Sequence, residues 1–182
     1  MLWLTMLLML VGCNGRLALM KDAFRFYSSE VSFPEKMLRI ENGDTATVSM
    51  SKLNKPLLIH YYGPEDCSDC ALNHMRDNIR LARYSKENGF FDFIVIIAPP
   101  LEERIDIIEK ATEMSLPLCL YVDSMHFFPS EGVIPSNSSL HTFLIDTKNT
   151  PIFVGSPLAN EATKNRFEKR LRESVFIVSF PG

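Results

Sequence analysis

The informative feature of the chain is where apolar positions run together and where they recur at intervals. Leu57-Leu58-Ile59-His60-Tyr61-Tyr62 is a nearly continuous apolar run, opened by Lys55-Pro56 and stopped by Gly63-Pro64. It predicts a central strand covered on both faces, because a half-exposed strand would alternate. Leu72, Met75, Ile79 and Ala82 then recur at spacings of 3, 4 and 3 residues, which is one face of a helix. Asn88-Gly89 ends that helix, since either residue accepts a left-handed conformation. Phe90 to Ala98 predicts a second buried strand, broken by Pro99-Pro100. Leu101, Ile105, Ile108 and Met114 predict the inner face of another helix, with Glu102 and Glu103 at its positive end. Leu116 to Val122 reads as a third strand. His141 to Asp146 and Pro151 to Gly155 read as a hairpin turning at residues 147–150. Asn160 is placed to cap a last helix with Ala162, Phe167 and Leu171 on one side. Ser174 to Phe180 is β-prone and predicts a terminal strand. Upstream, Met37 to Met50 suits a hairpin around Asn42-Gly43, residues that both tolerate positive φ.

The resulting order is hairpin, β-α-β-α-β, then β-β-α, without internal repeats. Buried strands alternating with helices argue for an α/β fold. A mixed central sheet flanked by helices follows, with an N-terminal β-hairpin and the late hairpin as its antiparallel parts.

The N-terminus is a separate object. Ten of residues 1–12 (MLWLTMLLMLVG) are apolar and none is charged. A spanning helix needs ~20 such residues, so this stretch has the length of a signal-peptide core. It ends at Leu10-Val11-Gly12-Cys13, which resembles a bacterial lipobox. That reading makes residues 1–12 a signal peptide and Cys13 the lipid-bearing first residue of the mature chain. Residues 13–32, with no clean period, become a tether leading into a short amphipathic segment, and 33–182 the folded domain. The alternative is a buried N-terminal helix or strand that happens to contain a cysteine.

Composition narrows the function. The 182 residues carry 19 Lys+Arg against 22 Asp+Glu, a net charge of −3. No basic excess exists to neutralise phosphates, which argues against nucleic-acid binding. Four cysteines with a single CxxC are too few for a small disulfide scaffold or a zinc module built from two CxxC halves. Function must come from a local site.

Cys67-Ser68-Asp69-Cys70 sits between the buried strand and a helix. Two cysteines three apart at a first helical turn bring their sulfurs within disulfide reach. Free N–H groups and the helix dipole stabilise a thiolate on the first, and the thiolate is the species that attacks disulfides. Glu65, Asp66 and Asp69 surround Cys67 and oppose that effect, which predicts a less acidified Cys67 and a more reducing disulfide. Cys119, within an apolar strand, reads as a core residue, and His60 and His74 as structural or surface residues. His141 either faces the CxxC or packs within its strand.

The segment PLLIHYYGPEDCSDC with its helix, the strands FIVIIAP and LCLYVD, and the segment HTFLIDTKNTPIFVGSP together resemble the thioredoxin-like fold in its TlpA-like periplasmic branch, over residues 37–172. The resemblance implies a three-layer α/β sandwich and a thiol–disulfide oxidoreductase without a cofactor or metal. Catalysis would fall to Cys67, exposed and nucleophilic, and Cys70, more buried and resolving. The partners implied are protein thiols or disulfides and an electron-donor thiol protein. The lipid on Cys13 would hold the protein to a membrane of the bacterial cell envelope, facing the periplasm or the cell surface. Two positions depart from the family. No aromatic residue closely precedes Cys67, and Leu140 stands where the family places a cis-proline, three residues before Phe143. Two other readings stay open: a copper-binding, chaperone-like module using both thiolates and His141, and a redox-inactive lipoprotein that serves as an interaction scaffold. Peroxide chemistry is disfavoured because no Thr sits three residues before Cys67.

Overall fold

A computed structural model describes residues 17–50 and 53–179. The expected signal peptide and Cys13 lie outside the described residues. Seven strands form one mixed sheet in the order β2-β1-β5-β4-β3-β6-β7. They are β1 Met37–Glu41, β2 Asp44–Val48, β3 Leu57–Tyr62, β4 Asp92–Ile97, β5 Cys119–Val122, β6 Thr142–Ile145 and β7 Pro151–Val154. β3, β4 and β5 run parallel, while β1 is antiparallel to β5 and β6 is antiparallel to β3. The two hairpins extend the sheet at its ends. In the first turn Asn42 and Gly43 both take positive φ, 50° and 85°, the conformation a two-residue hairpin loop demands. A Cβ on Gly43 would come within 2.6 Å of Ser115 Oγ, so this turn also needs the missing side chain for its close approach.

The strands at the centre alternate strictly in which layer they feed. Leu58, Phe93, Val95 and Ile97 pack with Leu72, Met75, Leu81, Ile107 and Phe167 on one face. Leu57, Ile59, Tyr61, Ile94 and Ile96 pack with Phe26 and Phe128 on the other. The first layer holds α2 Ser68–Asn73, α3 Arg76–Asn88, α4 Arg104–Glu113 and α6 Glu161–Ser179. The second holds α1, which spans 17–27, and α5 Phe127–Ser130. The arrangement is the three-layer sandwich expected. Gly89 closes α3 at φ 73°, and Asn160 Oδ1 accepts from Thr163 N at 2.9 Å at the start of α6.

Four expectations are corrected. The stretch 13–32 is more than a tether. Its described part forms α1, and Phe26 and Val31 are buried in the second core layer, Phe26 against Phe143 with ring centroids 4.9 Å apart. The helix after Cys67 is two helices, because the chain leaves helical geometry at His74, at φ −109° and ψ 29°. α4 buries Ile107 and Ala111, whereas Leu101 and Ile105 are exposed. The helix starts three residues later than the pattern implied, and that moves its inner face. Residues from Ser174 to Ser179 continue α6 rather than form a strand. A helix grows by adding one local hydrogen bond per residue, while a strand needs a partner edge.

Candidate redox site

The site lies at the carboxyl end of β3. Gly63 to Asp66 turn the chain out of the sheet, with Asp66 N donating to Gly63 O at 3.0 Å. Cys67 then serves as the N-cap of α2 in an extended conformation, and its sulfur accepts from Cys70 N at 3.2 Å. Cys67 and Cys70 are joined in a disulfide with Cα atoms 5.2 Å apart. In the reduced protein the same N–H would stabilise negative charge on Cys67. Both cysteines are exposed. The expectation that Cys70 is shielded is therefore corrected: within α2 it is Ser68, Ala71 and Leu72 that are buried, and Cys70 stays exposed.

The acidic neighbours are less free than the sequence implies. Lys110, from α4, forms an ion pair and hydrogen bond with Asp69. Together with the Asn73 amide at 3.0 Å, it holds the Asp69 carboxyl below the usual range. Asp66 turns back on its own loop, where Oδ2 accepts from Gly63 N at 2.7 Å and lies 3.9 Å from His141 Nδ1. One acid is thus paired with a cation and the other is hydrogen-bonded within its own loop.

The Leu140–His141 loop closes the site from the β6 side. Leu140 is buried at the end of a short 3-10 turn, and no peptide bond among the described residues is cis. His141 is also buried, with its ring edge-on to Tyr61 at 5.2 Å. Its Nε2 lies 2.9 Å from Pro135 O, an atom that can only accept, so Nε2 carries hydrogen. Nδ1 has no partner. Three buried side-chain polar atoms lack a hydrogen bond among the described residues: Tyr61 OH, Ser68 Oγ and His141 Nδ1. One belongs to the CxxC itself. The other two line a cleft of about 650 Å³, walled by Gly63 to Asp66, the loop from Pro129 to Ser138, and Asp22, Arg25 and Phe26 of α1. More than ~90% of buried polar groups in proteins are paired, so these three atoms stand out, two of them on residues that line one cleft. Tyr61 carries no local sequence signal, because its neighbours are equally apolar. Lys110 is 41 residues from its partner and could not be found from spacing.

The remaining candidates do not join the site. Cys119 is half-buried at the margin of the second core layer, not within it. Burial, followed by a hydrogen bond with Glu41, pushes its thiol up to about 11. Among the described residues no group of three or more His, Cys, Asp or Glu could hold a metal ion.

Comparison with solved structures decides the fold. Enterococcus faecalis AhpC superposes with a TM-score of 0.51 at 13% identity, over 81% of this chain and 92% of that one. The fold is thioredoxin-like. A putative thioredoxin from Neisseria meningitidis matches at a TM-score of 0.49 and 19% identity, over 80% of this chain and 93% of its own. The exposed lipoprotein thioredoxin Etrx1 from Streptococcus pneumoniae matches at 0.46 and 17%, over 76% and 98%. No protein-family model matches the sequence, and no curated protein does. Within the thioredoxin-like frame, a CxxC-spaced disulfide follows the central strand β3.

Two outcomes follow from the electrostatics. Replacing Lys110 (Lys110→Met) removes a cation and releases the charge of Asp69, so the Cys67 thiolate loses stability. The pH at which reduced protein reacts half-maximally with iodoacetamide should rise, and the disulfide potential should become more negative. Unchanged values would show that Asp69 does not act on the sulfur. His60, on β3, bonds Thr142 Oγ1 at 3.1 Å. Burial first, then the His141 charge, lowers its pKa from 6.5 to about 4. Between those values the unfolded chain binds a proton that the folded chain refuses. Stability therefore falls as pH drops from 6.5 towards 4, by up to roughly 3 kcal/mol. In urea titrations across that window His60→Asn should show a flatter slope than the wild type; parallel slopes would refute the assignment.

Proposed function

We propose that the protein is a membrane-anchored thiol–disulfide oxidoreductase of the TlpA-like kind. The observation that carries this reading is the Cys67–Cys70 disulfide at the start of α2, beyond the carboxyl end of β3, in a thioredoxin-like fold. In the reducing direction the Cys67 thiolate attacks a protein disulfide, and one substrate sulfur leaves as a thiolate. Cys70, after losing its proton to solvent, attacks Cys67 Sγ. The second substrate sulfur is expelled, and Cys67–Cys70 is re-formed. An electron-donor thiol protein then restores the dithiol. The assignment of Cys67 as nucleophile rests on the Cys70 N–H directed at its sulfur, not on burial, since both sulfurs are accessible. Substrates are polypeptides in this reading. A main-chain amide offers a donor and an acceptor, and the cleft beside the dithiol, walled by Gly63 to Asp66 and the loop from Pro129 to Ser138, has room for an extended segment. Anchoring rests on the apolar run 1–12 and on Cys13, and it places the domain in the bacterial cell envelope.

The dithiol reading is tested by trapping. Cys70→Ser should accumulate mixed disulfides with proteins through Cys67, visible on non-reducing gels, and Cys67→Ser should accumulate few. The reverse pattern would make Cys70 the nucleophile, and no adducts with either variant would favour a redox-inactive scaffold. The anchor is tested separately: Cys13→Ser should leave an unlipidated precursor that retains residues 1–12. A mature wild-type protein with its N-terminus elsewhere would refute that part.

A further inference from the structure

Among the described residues, the outward face of α1 stays largely exposed over Leu17, Met20 and Phe24, while Tyr27 at its end bonds the Val154 backbone. Leu17, Met20, Phe24 and Tyr27 fall at i, i+3, i+7 and i+10, a single stripe, and are 69%, 69%, 75% and 41% exposed. They are four of the nine large apolar side chains exposed among the described residues, gathered within 11 positions. The helix is not loose, because Phe26 on its opposite side is 3% exposed and docks on Phe143. Lys21 and Arg25 follow one margin of the stripe. At the other end Tyr27 shares a cleft with Arg166, Lys169 and Arg170 of α6, where three cations face two carboxylates, Asp146 and Glu173. An apolar stripe edged by basic side chains is the pattern of a helix lying in a membrane interface, with anionic headgroups over the cations.

We infer that α1 lies on the bilayer, with Leu17, Met20 and Phe24 set among the lipid headgroups and upper acyl chains. The inference rests on the anchored reading. Leu17 is four residues from Cys13, so at ~3.6 Å per residue the stripe starts no more than roughly 14 Å from the lipid-bearing residue. A bilayer surface is therefore always within reach of the stripe, whereas a second copy of the chain would have to find it by diffusion. Asp22, on the side of α1 away from the stripe, and Arg25, beside the stripe, line the cleft next to the dithiol. Lying on the bilayer, the helix holds that cleft at a fixed attitude near the membrane surface. The substrates it favours are polypeptide segments exposed there.

The only tryptophan in the sequence is Trp3, within the segment removed from the anchored form. Mature lipidated protein carrying Phe24→Trp then reports from one indole. The protein is reconstituted into vesicles of phosphatidylglycerol and phosphatidylethanolamine, part of the lipid brominated near the top of the acyl chains. The comparison protein carries Met125→Trp, at a site 81% exposed on another loop. The indole at position 24 should emit to the blue and be quenched several-fold more strongly than the one at position 125. If the protein floats with the vesicles but position 24 is quenched no more than position 125, the helix does not lie on the bilayer and the inference is wrong while the anchor stands. If the protein does not float, the anchored reading fails and takes this inference with it.

Discussion

The structure depends on the register of β3 between β4 and β6. Leu58, His60 and Tyr62 face one layer and Leu57, Ile59 and Tyr61 the other, and the pairings Ile59↔Ile94 and Ile59↔Phe143 fix that alternation from both sides. A slip of one residue would exchange the two sets between layers. With β3 fixed, the turn at Gly63 can leave the sheet at one point only. Cys67 therefore caps α2 at the carboxyl end of the strand and cannot drift along it. The constraint has a cost that falls on His60, a titratable ring whose place in this strand keeps it from taking a proton under mildly acidic conditions.

What the fold positions, local electrostatics then tunes. Near Cys67 a backbone N–H and a cation favour the thiolate, and carboxylates oppose it. Distance and pairing decide between them, not a count of charges. The Cys70 N–H lies 3.2 Å from the sulfur. Asp69 is paired with Lys110, and Asp66 spends one oxygen on its own loop. The neighbourhood therefore opposes charge on Cys67 less than the run Glu65, Asp66, Asp69 implies on paper. Hydrogen-bonded and paired carboxylates project a weaker field than free ones.

Much of this was legible in the chain, for a definite reason. The Asn42-Gly43 turn, the buried runs of β3 and β4, the Asn160 cap and the CxxC after a strand are all encoded within a few residues of where they act. The features that could not be read are those in which two distant segments meet. Lys110 reaches Asp69 only because α4 packs beside α2. In α1, Phe26 and Phe24 are two residues apart and chemically alike, yet one is core and the other faces outward. In α4 a shift of the first turn carried Ile105 out of the core and Ile107 into it. The break at His74 falls where neither proline nor glycine stands, so nothing in the sequence marks it.

The open dithiol and the polar cleft beside it bear on one another. In the proposed reaction, with both cysteines exposed, shielding would contribute little selectivity, and discrimination between substrates would come from groups around the disulfide. Leu140 presents an ordinary trans backbone, its N–H already committed to Asn137 O at 2.9 Å. What stays uncommitted is the Tyr61 hydroxyl, the Ser68 hydroxyl and His141 Nδ1. Burial raises the Tyr61 phenol above its usual range, so it remains a neutral donor across physiological pH. His141 Nδ1 lies 3.9 Å from Asp66 Oδ2, beyond hydrogen-bond reach. Neither atom is solvent-accessible, so the polar contacts open to a bound main chain come from the walls of the cleft, Gly63 to Asp66 and the loop from Pro129 to Ser138.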